Sequence, residues 1–373
     1  MKTIGIIGGG QLGKMMVQAA KTLGFTVVVL DPYPNSPAGQ VADREITGSL
    51  ADPVKLRELV TQCDFTTYDI EHIETSELIR LADEGHIIRP DPRVLALTQD
   101  KLTQKQRLLD SGLAVPAFVK LESRDPQEFR QFGFPLVQKT RKGGYDGKGV
   151  MLMRSEADLA KVLPGDSMLE RCVDIDLELA VMTVRGADGE VRSYPTVEMT
   201  FDSRCNALDT VIVPARISPE LDAAAQKLAR QCIDALGGVG IFGVEMFLDK
   251  QGRLSVNEVA PRPHNSGHYT IEACVTSQFE QHIRAVAGLP LGDCSQIRAT
   301  VSMNLLGEPG FSGPPVVRGL EESLALPGVH FHLYGKPETR PLRKMGHVTV
   351  TAANLGEALR LADRVKAVLR IEA

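Results

Sequence analysis

The densest group of chemically capable side chains lies in residues 254–270 (LSVNEVAPRPHNSGHYT), where an apolar strand pattern runs into Arg262, His264, Asn265, Ser266 and His268. Leu254, Val256 and Ala260 alternate with polar neighbours as in a half-buried strand, and Glu258 falls in step with them, on the face expected inside. A carboxylate there needs a partner. Residues 241–248 (IFGVEMFL) read as a second strand, and Asp249, Lys250, Gln251 and Gly252 supply hairpin-turn chemistry. With a two-residue loop at Gln251-Gly252, Glu245 stands opposite Glu258. Like charges facing across a sheet are destabilising unless a cation lies between them, so this register points to a magnesium site. A four-residue loop would shift the register, and two carboxylates on a solvated face are the plain alternative. The flanking residues are too apolar for a wet strand.

Three other stretches could meet a ligand. Residues 4–7 (IGII), the turn Gly8-Gly9-Gly10-Gln11-Leu12-Gly13 and an apolar pattern through Met15, Met16, Ala19, Ala20 and Leu23 read as strand, glycine turn and helix. Gly8, Gly10 and Gly13 meet the dinucleotide fingerprint, with Asp31 where a ribose-binding acid belongs. Against NAD, Pro90, Asp91 and Pro92 end the region before two mononucleotide halves are complete, so a helix N-terminus receiving another polar or phosphate ligand is preferred. The loop at 143–150 (GGYDGKGV) is no Walker motif, but its backbone N–H groups and Lys148 can cover phosphates; a flexible hairpin tip is the alternative. The loop at 336–347 gathers Lys336, Arg340, Arg343, Lys344 and His347, as a phosphate-recognition patch or a solvated basic loop would.

The surrounding chain must position these groups. Its 373 residues suggest two or three domains, and a net charge of -5 argues against non-specific nucleic-acid binding. Six scattered cysteines without metal-ligand spacing read as reduced thiols of a cytoplasmic protein. With neither signal peptide nor apolar run of ~18 residues, no membrane partner is expected. A boundary near residue 98 precedes a helix stopped by Gly112; short strands follow at 134–138 and 168–173, then a helix over 221–236 capped by Gly237-Gly238. Beyond residue 292 the chain turns to short strands and a last helix over 355–369.

With these elements in this order the chain resembles the ATP-grasp superfamily and, within it, the 5-(carboxyamino)imidazole ribonucleotide synthase family of purine synthesis. The resemblance covers nearly the whole chain and is carried by GGGQLGKM at 8–15, DKLTQK at 100–105, GGYDGKG at 143–149, NEVAPRPHNSGH at 257–268 and RKMGH at 343–347. It implies an α/β (α+β) architecture: a Rossmann-like pre-ATP-grasp domain over 1–98, an ATP-grasp domain over 99–292 with a mobile lid at about 117–176, and a small C-terminal β-rich domain over 293–373. It also implies a homodimer.

The implied reaction uses ATP to phosphorylate bicarbonate, and the carboxyl group of the resulting carboxyphosphate passes to the exocyclic amine of 5-aminoimidazole ribonucleotide. Lys101 and Lys139 match positions on the ATP phosphates, covered by Gly144, Tyr145, Asp146, Gly147, Lys148, Gly149 and Val150. Glu170, Arg171, Cys172 and Val173 match the segment presenting backbone groups to adenine, with Glu178 on the ribose and Glu245 and Glu258 on magnesium. Arg262, His264, Asn265 and Ser266 would surround bicarbonate or carboxyphosphate as the catalytic group. Gly10, Gln11, Leu12, Glu71, Tyr145, Asp146, Lys336, Arg343 and Lys344 would hold the ribonucleotide. No NAD is implied, and no covalent nucleophile is required; His264, His268 or the released phosphate could take the amine proton. Asn257 is carried with Glu258 among the ATP-binding positions. Many ATP-grasp enzymes have Glu-x-Asn on this strand, whereas here Asn257 precedes Glu258, so alternation should turn its side chain away from the metal.

Overall fold

The computed structural model describes residues 1–144, 149–202 and 207–373. The loop residues Tyr145, Asp146, Gly147 and Lys148, expected over the phosphates, lie outside the described residues.

Apolar runs bury both faces of a parallel sheet formed by Thr3–Ile7, Thr26–Asp31, Arg44–Thr47 and Phe65–Tyr68, in the spatial order third, second, first, fourth. Ile4, Ile6, Val27 and Val29 pack with Met15, Met16 and Ala20 of the helix Gln11–Thr22 on one face. Ile7, Val28 and Leu30 meet Leu56, Leu59 and Leu78 from the helices Pro53–Val60 and Thr75–Asp83 on the other. The helix expected between residue 98 and Gly112 is Lys101–Asp110, capped by Asp100, which accepts from Leu102 and Thr103 N–H; a short helix, Pro92–Thr98, precedes it.

A smaller antiparallel sheet follows, ordered Phe118–Lys120, Ser167–Arg171, Leu136–Thr140 and Val150–Met153. Phe129 of the helix Pro126–Phe132 closes its core against Leu121, Leu136, Met153 and Leu169. Opposite stands a nine-stranded sheet among the described residues, with Leu254–Ala260 at one edge and Gly240–Asp249 and Ile175–Arg185 next to it in turn. The helix Pro219–Leu236, capped by Ser218, covers one face of it through Ala225, Leu228, Ala229, Cys232 and Ile233.

The hairpin Gly240–Asp249/Leu254–Ala260 pairs Glu245 with Glu258, but not by the two-residue loop expected from sequence. Asp249 N–H donates to the Arg253 carbonyl at 3.0 Å, and Leu248 pairs with Leu254, one residue out of the expected register. A β-bulge between Glu245 and Met246 restores it, with Asn257 the extra residue. The bulge also breaks strand alternation. Val256 and Val259 both join the core under the helix, while Asn257 and Glu258 both face the opposing sheet. Two expectations therefore fail: Glu258 does not share a face with Val256, and Asn257 does not turn away from Glu258.

The C-terminal segment shares this sheet. Ala207–Val213 pairs with Ala299–Leu306, which leads on to Lys344–Ala352 and Val329–Leu333, backed by the helix Leu355–Val368. Tyr334 leaves this unit to enter the core beneath the helix Gln11–Thr22, where Lys14 donates to its carbonyl at 3.0 Å. No helix among the described residues is long and apolar enough to cross a membrane.

Candidate active site

A cavity of about 530 Å³ lies between the small sheet and the nine-stranded sheet. Glu245 and Glu258 meet on its floor, delivered by the bulged hairpin. Lys101, at the start of its helix, is ion-paired with Glu258. His264 Nε2 lies 3.3 Å from Glu245 Oε1, and Asn257 donates to Glu245 Oε2 at 3.2 Å. The imidazole fits there because residue 243 is glycine: a Cβ at Gly243 would come within 2.6 Å of His264 Cβ. Ser266 is buried; its backbone N–H donates to His264 Nδ1 at 3.3 Å, which leaves the ring proton on Nε2, facing Glu245.

The electrostatics follow from these contacts. Burial, then the charge of Glu258 and that of Glu178, push the Glu245 carboxyl well above the ordinary carboxylate range. The Lys101 ammonium holds Glu258 below it. Glu178, also lining the cavity, is pushed up to about 7 by burial, against the attraction of Lys139. Such a floor fits magnesium, which is commonly held by one or two carboxylates with substrate phosphates completing the shell. Among the described residues no cluster of three or more histidine, cysteine or acidic groups offers a self-sufficient metal cage.

Lys139 reaches the cavity from the small sheet, with its Nζ 2.7 Å from Glu170 Oε1 and 3.0 Å from Asn257 Oδ1. Glu170 is itself buried, and burial opposes its ionisation, but Lys139 and Lys105 outweigh that and keep its carboxyl low. Arg171, Cys172 and Val173 continue along the rim. The Arg171 guanidinium turns back to the Phe132 and Gly133 carbonyls, leaving its backbone toward the cavity. Gly144 and Val150 line the opening; Gly149 (φ 75°) sits at the loop's base, its carbonyl accepting from Thr140 N–H at 2.8 Å. Arg262 and Asn265 close the far side, where Arg262 Nη2 lies 3.0 Å from Glu71 Oε1, an ion pair from the first sheet's loops to the hairpin's end.

The expected ribonucleotide residues divide. Glu71 and Lys344 line the cavity. Lys336 donates to the Lys344 carbonyl at 2.6 Å, and Arg343 to the Glu338 carbonyl at 2.7 Å; neither is among the lining residues. Gly10 and Gln11 are half-buried outside it, and Leu12 belongs to the core, so its side chain cannot meet a ligand. His268 is 1% exposed and away from the cavity, and burial, then Lys344 and the neighbouring histidines, push its imidazole pKa well below the usual value.

Two kinds of site residue escaped the sequence reading. Val137, Leu152, Phe201, Leu208 and Phe247 give the cavity apolar walls suited to a planar base, but each looks like ordinary sheet core in sequence. Lys105 is 2% exposed and ion-paired with Glu170; its four-residue spacing from Lys101 on one helix was the available signal.

Residues 1–99 match the ribonucleotide synthetase pre-ATP-grasp domain, residues 106–279 the ATP-grasp domain, and residues 300–361 the phosphoribosylaminoimidazole carboxylase C-terminal domain. The chain is 42% identical to the N5-carboxyaminoimidazole ribonucleotide synthase of Bacillus subtilis, over 93% of this chain and 90% of that one. It is 40% identical to the phosphoribosylaminoimidazole carboxylase of Ogataea methanolica, over 96% of this chain but 68% of the relative. Among solved structures, N5-carboxyaminoimidazole ribonucleotide synthetase from Thermotoga maritima superposes with a TM-score of 0.94 at 51% identity, covering 100% of both chains. The synthase of Aspergillus clavatus, solved with ADP and 5-aminoimidazole ribonucleotide, gives 0.89 at 34% identity, covering 97% of this chain and 99% of that one.

Proposed function

The chain belongs to the N5-carboxyaminoimidazole ribonucleotide synthase family of ATP-dependent ligases in purine biosynthesis, and from that premise we propose how its cavity carries out the reaction. The supporting observation is that the Glu245–Glu258 pair, Lys101 and the small sheet's Lys139 converge on one cavity of about 530 Å³ between the two sheets. ATP lies between the sheets, its base against Phe247, Leu152 and the backbone of residues 170–173, its ribose at Glu178, and its phosphates at Lys101 and Lys139. Magnesium, held by Glu245 and Glu258, would neutralise charge on the transferring phosphoryl group.

The co-substrate is bicarbonate, held by Arg262, His264 and Asn265 next to the terminal phosphate. One bicarbonate oxygen attacks that phosphorus, giving carboxyphosphate and ADP. The ribonucleotide amine then attacks the carboxyl carbon, the carbon–oxygen bond to phosphate breaks, and the amine proton leaves with the phosphate. His264, with its proton on Nε2 and its ring fixed by Ser266 and Glu245, orients the carboxyl group rather than acting as a base. Lys344 supplies the cation nearest the ribonucleotide, Lys336 buttresses its backbone, and the small sheet excludes water from the short-lived intermediate. The same reading makes the protein a homodimer, as the sequence resemblance implies, and a cytoplasmic one, as its scattered cysteines suggest.

ADP release should require magnesium, bicarbonate and 5-aminoimidazole ribonucleotide together. ADP formed at the full rate without bicarbonate would overturn the carboxyphosphate route.

A further inference from the structure

Lys105 is not assigned to any substrate, yet it is among the most deeply buried charged groups in the protein, 2% exposed. It stands one turn beyond Lys101 on the helix Lys101–Asp110, so both ammonium groups leave the same face. Its Nζ lies 2.7 Å from Glu170 Oε2 and 3.4 Å from the Val256 carbonyl. The other Glu170 oxygen holds Lys139 at 2.7 Å, and Lys139 reaches on to Asn257 and so to Glu245. One polar line therefore runs from the helix through the small sheet to the metal-facing hairpin.

The two cations on Glu170 are not equivalent. Lys139 lines the cavity, with 10% of its side chain exposed, whereas Lys105 is sealed behind the carboxylate. A buried ammonium is costly, and burial lowers the Lys105 pKa to about 8 although Glu170 opposes the shift. One cation would suffice to pair a single carboxylate. A second, in a place no substrate reaches, has a use only if the first must sometimes leave.

We propose that Lys105 is the resident counter-charge of Glu170, a positioning residue that lets Lys139 pass from the carboxylate to a nucleotide phosphate without stranding a buried anion; this rests on placing the phosphates in the cavity. Without Lys105, a phosphate would compete with a buried carboxylate for the one ammonium that both require. The expected signature is a selective loss of ATP binding, reversed when the carboxylate is neutralised too.

The test is steady-state kinetics on Lys105→Met, Lys139→Ala and the double variant Lys105→Met/Glu170→Gln, with thermal unfolding of each. Lys105→Met should raise the KM for ATP ~10–100-fold, the scale of one charge-assisted contact, with the ribonucleotide KM nearly unchanged. The double variant should return the ATP value to within about fivefold of wild type, because no unpaired carboxylate remains to hold Lys139. A double variant as impaired as Lys105→Met while still folded would overturn the proposal in favour of a purely structural lysine. Should Lys105→Met not fold, the double variant decides alone: a near-normal ATP KM supports the proposal and a raised one overturns it. An ATP KM raised by Lys139→Ala but not by Lys105→Met overturns the counter-charge alone, whereas an unchanged value in Lys139→Ala overturns the nucleotide placement as well.

Discussion

Asp31 and Asp69 at the glycine turn, and Glu245 and Glu258 on the cavity floor, are two carboxylate pairs whose charges are met in different ways. At the turn the partners are backbone: Asp31 accepts from Gly9 N–H at 2.7 Å and Tyr33 N–H at 2.9 Å, and Asp69 accepts from Gly13 N–H at 3.1 Å. A Cβ at Gly8 would lie 1.7 Å from Asp69 Oδ1, so the glycine is there to admit this carboxylate. Burial and Asp31 push the Asp69 carboxyl up to about 6, with the backbone donors pulling against them. In the cavity the partners are the side chains of Lys101, His264 and Asn257, brought from separate parts of the chain. Backbone donors are fixed, whereas side-chain partners can be exchanged for a ligand's groups. The first pair holds a fold together; the second is available for chemistry. The same contrast accounts for the dinucleotide-like spacing of the glycines, since the N-terminal helix donors that would receive a pyrophosphate face Asp69.

The largest expected effect separates the pairs outright. Glu258→Gln should lower turnover by at least ~100-fold at saturating magnesium while leaving the fold intact, because one carboxylate cannot hold the cation and phosphates in place. Near-normal kcat would mean that the cavity pair is structural after all. Next, Lys344→Ala should raise the ribonucleotide KM ~10–100-fold by removing a charged donor, with the ATP KM steady, and Arg343→Ala should do less because its guanidinium is spent on a backbone carbonyl. Equal effects, or Arg343 the larger, would reverse the assignment within the basic loop.

Asp69→Ala should cost about 1–3 kcal/mol of stability by orphaning buried backbone donors, read as a lowered Tm, with little change in the ATP KM. A selective kinetic loss without destabilisation would erase the distinction between the pairs. A smaller effect concerns Glu178, whose carboxyl stands at about 7 in the folded chain against an ordinary 4.5. The folded state then holds its proton more tightly than the unfolded one, so this group's contribution to stability is full below 4.5 and is lost as pH rises through 7. Without nucleotide, Glu178→Gln should therefore gain Tm relative to wild type between pH 5 and pH 8; a relative loss would put the sign, and the burial behind it, in error. The last expectation is of no effect: NAD and NADP should not bind, and micromolar affinity for either by calorimetry would make the glycine turn a dinucleotide site instead.

The facing glutamates were legible because a strand's two-residue period and a turn signal set a register, even though the register was reached by another path. What escaped was the bulge at Asn257, since no residue type there marks an extra position strongly, and with it the direction of Asn257 itself. The basic loop shows a related limit: charges adjacent in sequence can point differently, and only Lys344 of the five gathered there lines the cavity. Lys105 illustrates a third, since a lysine in a polar helix reads as solvent-facing until the carboxylate 65 positions away, Glu170, is placed beside it. Helix faces and caps were written locally. The joining of Ala207–Val213 to Ala299–Leu306 was not, because it pairs segments separated by three α-helices and a hairpin.

That joining bears on how the chain can be shortened. A division near residue 292 looks natural in sequence, yet the strand pairing that sets Thr210 opposite Met303 and Val213 opposite Thr300 crosses it inside one sheet. Removing everything beyond that point would strip a neighbour from Ala207–Val213 and leave a row of open N–H and C=O groups beside the cavity between the sheets. Such an edge is a template for pairing with another chain. A trimmed protein is therefore expected to self-associate edge to edge, and covering that bare strand with a polar or proline-bearing replacement would be the way to keep it monodisperse.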